Sequence, residues 1–199
     1  MKINPTRLKI LETSQNLMMR QGFHGVTVDQ IIAEAGISKG SFFYHFKSKD
    51  ELPAALLDNF LSCQAEAFQT VMHSTDTANP LENALSVVCG VGEIFAVTTM
   101  GKPGCVMAAF SYQMLDYPDV QTTSQKAIQG WEQAFNRYFQ PLCDTVSGAP
   151  DGVTLARQLL FSLQGATIVA RIEGNDNAVR QSTEVFCDYL RRLFVPSKV

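Results

Sequence analysis

Residues 37–52 read ISKGSFFYHFKSKDEL. Five rings stand in a row, Phe42, Phe43, Tyr44, His45 and Phe46, with Lys39 before them and Lys47 and Lys49 after. Ser38 is a good N-cap, and 39–46 is long enough for about two helical turns. Residues four apart share a helix face, so Phe42 and Phe46 are expected in a core. Lys39, Phe43 and Tyr44 then fall on another face, with Gly40 between them. That face carries a cation, a gap and two rings, and the short helix before it cannot cover them. Ser48 opens SKDE, read as a capping box closed by Glu51 that starts a fourth helix near Lys49.

Upstream, TVDQ at 27–30 is a capping box in which Thr27 caps and Gln30 reaches back. Val28, Ile31, Ile32 and Ala35 supply the apolar face of a short helix ending at Gly36. Asn4-Pro5 is a helix start, with a capping residue and then proline at the first helical position. Leu8, Leu11, Ser14, Leu17 and Met18 make one face of that first helix, and Gly22 stops it. Downstream, the fourth helix is expected to run to about His73, with Pro53 removing one backbone bond near its start and distorting it. STDTANP at 74–80 reads as a linker. Helical periodicity returns over about 81–97, 105–115, 118–146, 153–173 and 177–194, with breaks at TTMGKPG, Tyr117-Pro118, SGAPDG and EGND. No segment alternates in the manner of a strand. The expected class is all-α, with about nine helices.

The 199 residues are 46% apolar, which supports a packed core and argues against bulk disorder. No apolar run approaches the roughly 20 residues that span a bilayer, and the first residues lack a signal-peptide pattern. Five cysteines at wide spacing, with no C-x-x-C, disfavour a disulfide framework and a structural zinc site. These features predict a reduced, cytoplasmic protein without membrane attachment, metal or cofactor. The net charge of −3 is unevenly spread. Residues 1–50 carry seven bases and four acids, a net of +3, and the remainder carries nine bases and fifteen acids, a net of −6. Excess positive charge therefore coincides with the quoted stretch.

Two short helices joined by AGIS, the second presenting a basic-aromatic face, form a helix-turn-helix. Its second helix enters the DNA major groove with its N-terminal residues at base edges. Lys39 suits guanine O6 and N7, Gly40 permits close approach, and Phe43 packs on a thymine methyl. Thr27 and Lys49 open flanking helices, where phosphates are attracted, and Tyr44 and His45 have polar tips for phosphate oxygens. Enzyme signatures are missing: there is no G-x-S-x-G, H-E-x-x-H or P-loop, and no pair among His24, His45 and His73 has metal-ligand spacing. A helical adaptor that binds protein through the aromatic face is the rival non-enzymatic reading.

The pattern from Ile10 to Leu52, IL…LM…GF…TV…II.EAGISKGSFFYHFKSKDEL, resembles the DNA-binding domain of the TetR (tetracycline-repressor) family. The resemblance covers about the first quarter of the chain. It implies a helix-turn-helix DNA-binding domain at residues 1–48 and a helical effector-binding and dimerisation domain at 49–199. It further implies a homodimeric repressor that binds a pseudo-palindromic double-stranded operator and is released by an effector. By the same resemblance the DNA contacts are Thr27, Lys39, Gly40, Ser41, Phe43, Tyr44, His45 and Lys49. The family usually has tyrosine where this chain has Phe43, so one hydroxyl contact is missing.

The second domain is rich in Phe, Met and small residues with few charges. Phe95, Met107, Phe110, Met114, Trp131, Phe135 and Phe161 are core by residue type and also candidates to line a site for a small apolar effector. Cys105 follows GKPG near Lys102 at an expected helix start, an environment that favours reaction with electrophiles; a buried inert thiol is the alternative. Leu155, Leu159, Ser162, Leu163, Ala166 and Ala170, with Ser182, Phe186, Tyr189, Leu190 and Leu193, form stripes on the last two helices that suit dimerisation.

Overall fold

The computed structural model describes residues 4–73, 77–97, 107, 113 and 117–195. Eight α-helices and no strand occur among them. They are α1 (Pro5–Gln21), α2 (Val28–Ala35), α3 (Lys39–His45), α4 (Leu52–His73), α5 (Pro80–Val97), α6 (Pro118–Cys143), α7 (Gly152–Glu173) and α8 (Ala178–Phe194). A single 3-10 turn, Lys49–Glu51, precedes α4. The segment expected to be helical at 105–115 lies largely outside the described residues.

Backbone contacts divide the chain into two compact units, residues 1–61 with 107–124, and residues 62–106 with 125–199. The sequence reading places its division after residue 48; the first unit extends past that point to hold the start of α4 and also includes residues 107–124.

In the first unit the caps set the helix limits. Asn4 accepts from the backbone N–H groups of Thr6 and Arg7, at 2.9 and 3.4 Å. Gly22 ends α1 at φ +76°, a conformation that side-chain-bearing residues rarely adopt. Ile10, Leu11, Ser14, Leu17 and Met18 are buried on α1, while Leu8 is half-buried. Thr27 and Gln30 close the expected capping box on α2, and Gly36 ends that helix in the left-handed region at φ +59°. Ser38 caps α3 through the Ser41 N–H at 3.1 Å.

The start of α4 departs from expectation. Ser48 Oγ accepts from Asp50 N at 3.2 Å, and Glu51 Oε2 accepts from Lys47 N at 2.9 Å, so SKDE forms a 3-10 turn rather than a capping box. The α-helix proper begins at Leu52, which puts Pro53 at its second position. A backbone N–H there has no intrahelical acceptor, so proline removes no bond and needs no kink.

In the second unit α5 packs closely on α8. A Cβ on Gly92 would collide with Thr183 Oγ1, so only glycine lets these backbones approach so far. Arg180 reinforces the contact with two hydrogen bonds to the Glu93 carboxylate, each 2.7 Å. The Glu93 carboxyl is consequently held below the usual carboxylate range by the guanidinium hydrogen bond. Asp151 caps α7, accepting from Thr154 N at 2.7 Å. By length and composition α5 and α7 are apolar enough to cross a membrane. Their buried faces explain that composition: Val87, Val88, Val91 and Phe95 on α5, and Leu155, Leu159 and Leu163 on α7, line the interior of the unit.

Candidate nucleic-acid interface

The five rings separate as helix geometry requires. Phe42 is fully buried and Phe46 nearly so, their centroids 6.0 Å apart. Arg7 lies over the Phe46 ring at 5.1 Å, closing that side of the core with a cation. Tyr44 is 84% exposed and Phe43 43% exposed. Phe43 meets the buried Phe42 edge-to-face at 5.4 Å, so one side of it rests on the core and the other on solvent. The Tyr44 and His45 rings meet edge-to-face at 5.0 Å. Burying Phe42 on α3 and Phe46 at its C-cap therefore presents the 39/43/44 face outward.

Lys39 is exposed at the first turn of α3, its ammonium 3.7 Å from Asp29 Oδ1. Both side chains are largely solvated, so this pair is loose and is displaced easily by a stronger anion. Gly40 has only Ser38 Oγ, at 3.9 Å, near the place its Cβ would occupy. No neighbour in this chain demands glycine there, and the open surface leaves room for a ligand's backbone. Thr27 is exposed at the start of α2, and Ser41 and His45 are half-buried.

Lys49 is arranged differently from the phosphate contact expected of it. Its ammonium donates to Phe23 O at 3.0 Å and Val26 O at 2.9 Å, and it sits 4.4 Å from the centre of the Phe23 ring. The side chain pins the α1–α2 connection, whose carbonyls have no helical partners at that point. Only the Lys49 backbone N–H, at the start of the 3-10 turn, remains in the position foreseen for a phosphate.

Two further residues of the first unit were not singled out by their sequence pattern. Gln113 Oε1 accepts from Phe23 N at 2.7 Å. Tyr117 donates its hydroxyl to Asp50 Oδ1 at 3.0 Å and sets its ring edge-to-face on Phe23 at 5.6 Å. Both lie about ninety residues from Phe23 along the chain, and local pattern carries no signal for such a pairing.

The residues proposed for an effector fare unevenly. Phe95, Trp131 and Phe135 are buried together, with the Phe68 ring 6.4, 6.0 and 5.8 Å from them respectively. Met107 is buried. Phe161 does not join them: it is 63% exposed on α7, because Leu159, Leu160 and Leu163 occupy that helix's buried face. Cys105, Phe110 and Met114 lie outside the described residues. Gln64, absent from the expected set, is buried on α4 one turn before Phe68, and neither its amide nitrogen nor its oxygen has a hydrogen-bond partner.

A capped three-helix unit that buries one edge of its third helix and turns a cation, a gap and two rings outward defines a helix-turn-helix transcriptional regulator. The sequence profile described as "Bacterial regulatory proteins, tetR family" matches residues 10–56. The HTH-type transcriptional repressor DhaR of Mycobacterium sp. (strain GP1) is 26% identical over 193 residues, covering 94% of this chain and 92% of that one. The HTH-type transcriptional repressor NemR of Escherichia coli (strain K12) is 24% identical over 179 residues, 84% of each chain. Among solved structures, a TetR transcriptional regulator from Chloroflexus aurantiacus J-10-FL superposes with a TM-score of 0.79 at 19% identity, covering 94% of both chains. The reduced form of E. coli NemR superposes with a TM-score of 0.76 at 18% identity, covering 98% of this chain and all of the other. Residues 10–56 thus match the DNA-binding region of the tetR family of bacterial regulatory proteins, and the chain along most of its length is similar to HTH-type transcriptional repressors.

Proposed function

We propose that this regulator is a cytoplasmic repressor that binds a pseudo-palindromic operator as a homodimer, with residues 1–48 as the reading module. The observation that carries this reading is the outward face of α3: Lys39, Phe43 and Tyr44 exposed around the open Gly40 position. Thr27, Ser41, His45 and the Lys49 backbone N–H flank that face as phosphate partners. Support for the dimer comes from α7 and α8. Of the stripes foreseen from the sequence, Leu155, Leu159, Leu163, Ala170, Phe186 and Leu190 are buried within the chain itself, while Ser162, Ala166, Ser182 and Leu193 are half-buried and Tyr189 is 42% exposed. A different face of the same helices is apolar and open. Phe161, Ile168 and Ile172 recur at helical spacing on α7, with Ile172 79% exposed, and Val185 on α8 is 70% exposed. Gly165 falls in the α7 stripe, and a Cβ there would meet nothing in this chain, which leaves room for a partner's side chain. An isologous four-helix contact covers such a face.

Sedimentation with and without operator DNA tests both parts. The free protein should run at about twice 21.9 kDa, and Lys39→Ala should keep that mass while weakening the specific site by about 1–3 kcal/mol and relaxing preference at one base pair per half-site. A monomer, or a Lys39→Ala chain that binds a mapped operator like the parent, overturns the reading.

We also propose that a small effector binds among the aromatic residues of the second unit and lowers operator affinity. Gln64 supports this and sharpens it. A buried carboxamide with no partner costs about 1–3 kcal/mol, which a ligand with both an acceptor and a donor recovers. The effector is therefore a mainly apolar molecule with one amide-like or carboxylic acid head, binding the operator-competent state less well than the released one. Gln64→Leu should leave stability unchanged or higher, and should weaken operator release by apolar carboxamides about tenfold or more. Unchanged potency in that variant rules out Gln64 as the recognition group.

A further inference from the structure

Cys89 on α5 and Cys187 on α8 place their sulfurs 3.6 Å apart. Cys89 is exposed and Cys187 is buried. The contact lies at a close crossing of two helices of the second unit. One turn along, Gly92 admits Thr183 where any Cβ would collide, and beside it Arg180 clasps Glu93. A disulfide requires close backbones, and this crossing supplies them; the sulfurs need to move together only from 3.6 Å to about 2.05 Å, within the reach of small side-chain rotations. The two cysteines stand 98 residues apart in sequence, with no motif to pair them.

We propose that Cys89 and Cys187 are an oxidant-responsive pair that closes to a reversible disulfide on reaction with a hydroperoxide. Cys89, exposed, meets the oxidant. Its thiolate attacks the terminal peroxide oxygen, the O–O bond breaks, and the alkoxide or hydroxide leaves with the thiol proton as alcohol or water. Cys89 is then a sulfenic acid. Cys187 sulfur attacks the Cys89 sulfur, the S–S bond forms, the S–O bond breaks, and hydroxide leaves as water with the Cys187 proton. Two thiols lose two electrons and the peroxide bond gains them. Burial pushes the Cys187 thiol up to about 12, with Cys89 adding to the shift, so Cys187 is protonated at neutral pH and acts second. A high pKa slows attack through a small thiolate fraction, and fixed proximity to the partner sulfur offsets that. Closure staples α5 to α8, and a thiol reductant reopens it. This chemistry stands apart from the DNA-binding and effector readings, and its test does not involve either ligand.

The folded full-length chain is treated with hydrogen peroxide, its remaining thiols are alkylated, and it is cleaved after glutamate. Cys89 then lies alone in peptide 83–93, Cys187 in 185–199 and Cys63 in 52–66. The expected product is 83–93 joined to 185–199, separated by reductant and lost in Cys89→Ser, an exposed substitution whose retained helicity is checked by circular dichroism. The proposal is overturned if Cys89 proceeds to sulfinic acid while Cys187 stays a thiol, if either pairs with a different cysteine, or if both remain reduced while Cys63 oxidises.

Discussion

Phe42→Ala is expected to destabilise the DNA-binding unit by about 3–5 kcal/mol, the usual cost of deleting a fully buried ring. Phe43→Ala, one residue on, should stay within about 0.5–1 kcal/mol of the parent in stability and lose operator affinity instead. The contrast rests on geometry. Phe42 is completely buried, with Phe46 beside it at 6.0 Å, and truncation leaves a cavity that the capped two-turn helix cannot collapse to fill. Phe43 already shows 43% of its surface to solvent. Urea unfolding followed by circular dichroism gives the first quantity, and anisotropy of labelled operator DNA gives the second. If the two substitutions destabilise equally, the division of the ring cluster into core and reading face is wrong.

Lys49→Ala is the second large effect, and it separates a structural lysine from a phosphate-binding one. The ammonium satisfies two backbone carbonyls and caps the Phe23 ring. Hydrogen bonds to a charged group contribute about 1.5–3 kcal/mol, and alanine leaves both carbonyls to partial hydration. The variant should therefore unfold at lower temperature, and operator binding should weaken only where the unit begins to loosen. Each phosphate contact adds about 0.9 to the slope of log affinity against log salt. Lys49→Ala should keep the parent slope at low temperature, whereas a lost phosphate contact would flatten it. A flattened slope with unchanged stability returns Lys49 to the phosphate set.

Much of the first unit is legible in a single sequence because its signals are local. Thr27 with Gln30, Ser38 before a short helix, and Gly22 and Gly36 at helix ends each act within four residues, and each is found in its expected role. The four-residue spacing of Phe42 and Phe46 likewise needs only helix geometry. SKDE misleads for a local reason too: Ser48 has two nearby N–H groups in reach, and the 3-10 turn gives it Asp50 rather than Glu51.

Tertiary packing decides the rest. Lys49 reads as a surface cation until the α1–α2 connection brings the Phe23 and Val26 carbonyls beneath it. Helix α7 carries apolar residues on more than one face, and periodicity alone cannot say which stripe meets its own core; α5 and the neighbouring helices bury Leu159 and Leu163 and leave Phe161 and Ile172 outside. Gln64 is an ordinary polar residue in sequence, and only burial removes its water. Cys89 and Cys187 become a pair only where Gly92 lets two helices close on each other. Capping and helix period act over one or two turns and are written in adjacent residues. Burial, ion placement and thiol pairing depend on side chains up to about a hundred residues apart, and the folded chain alone brings those together.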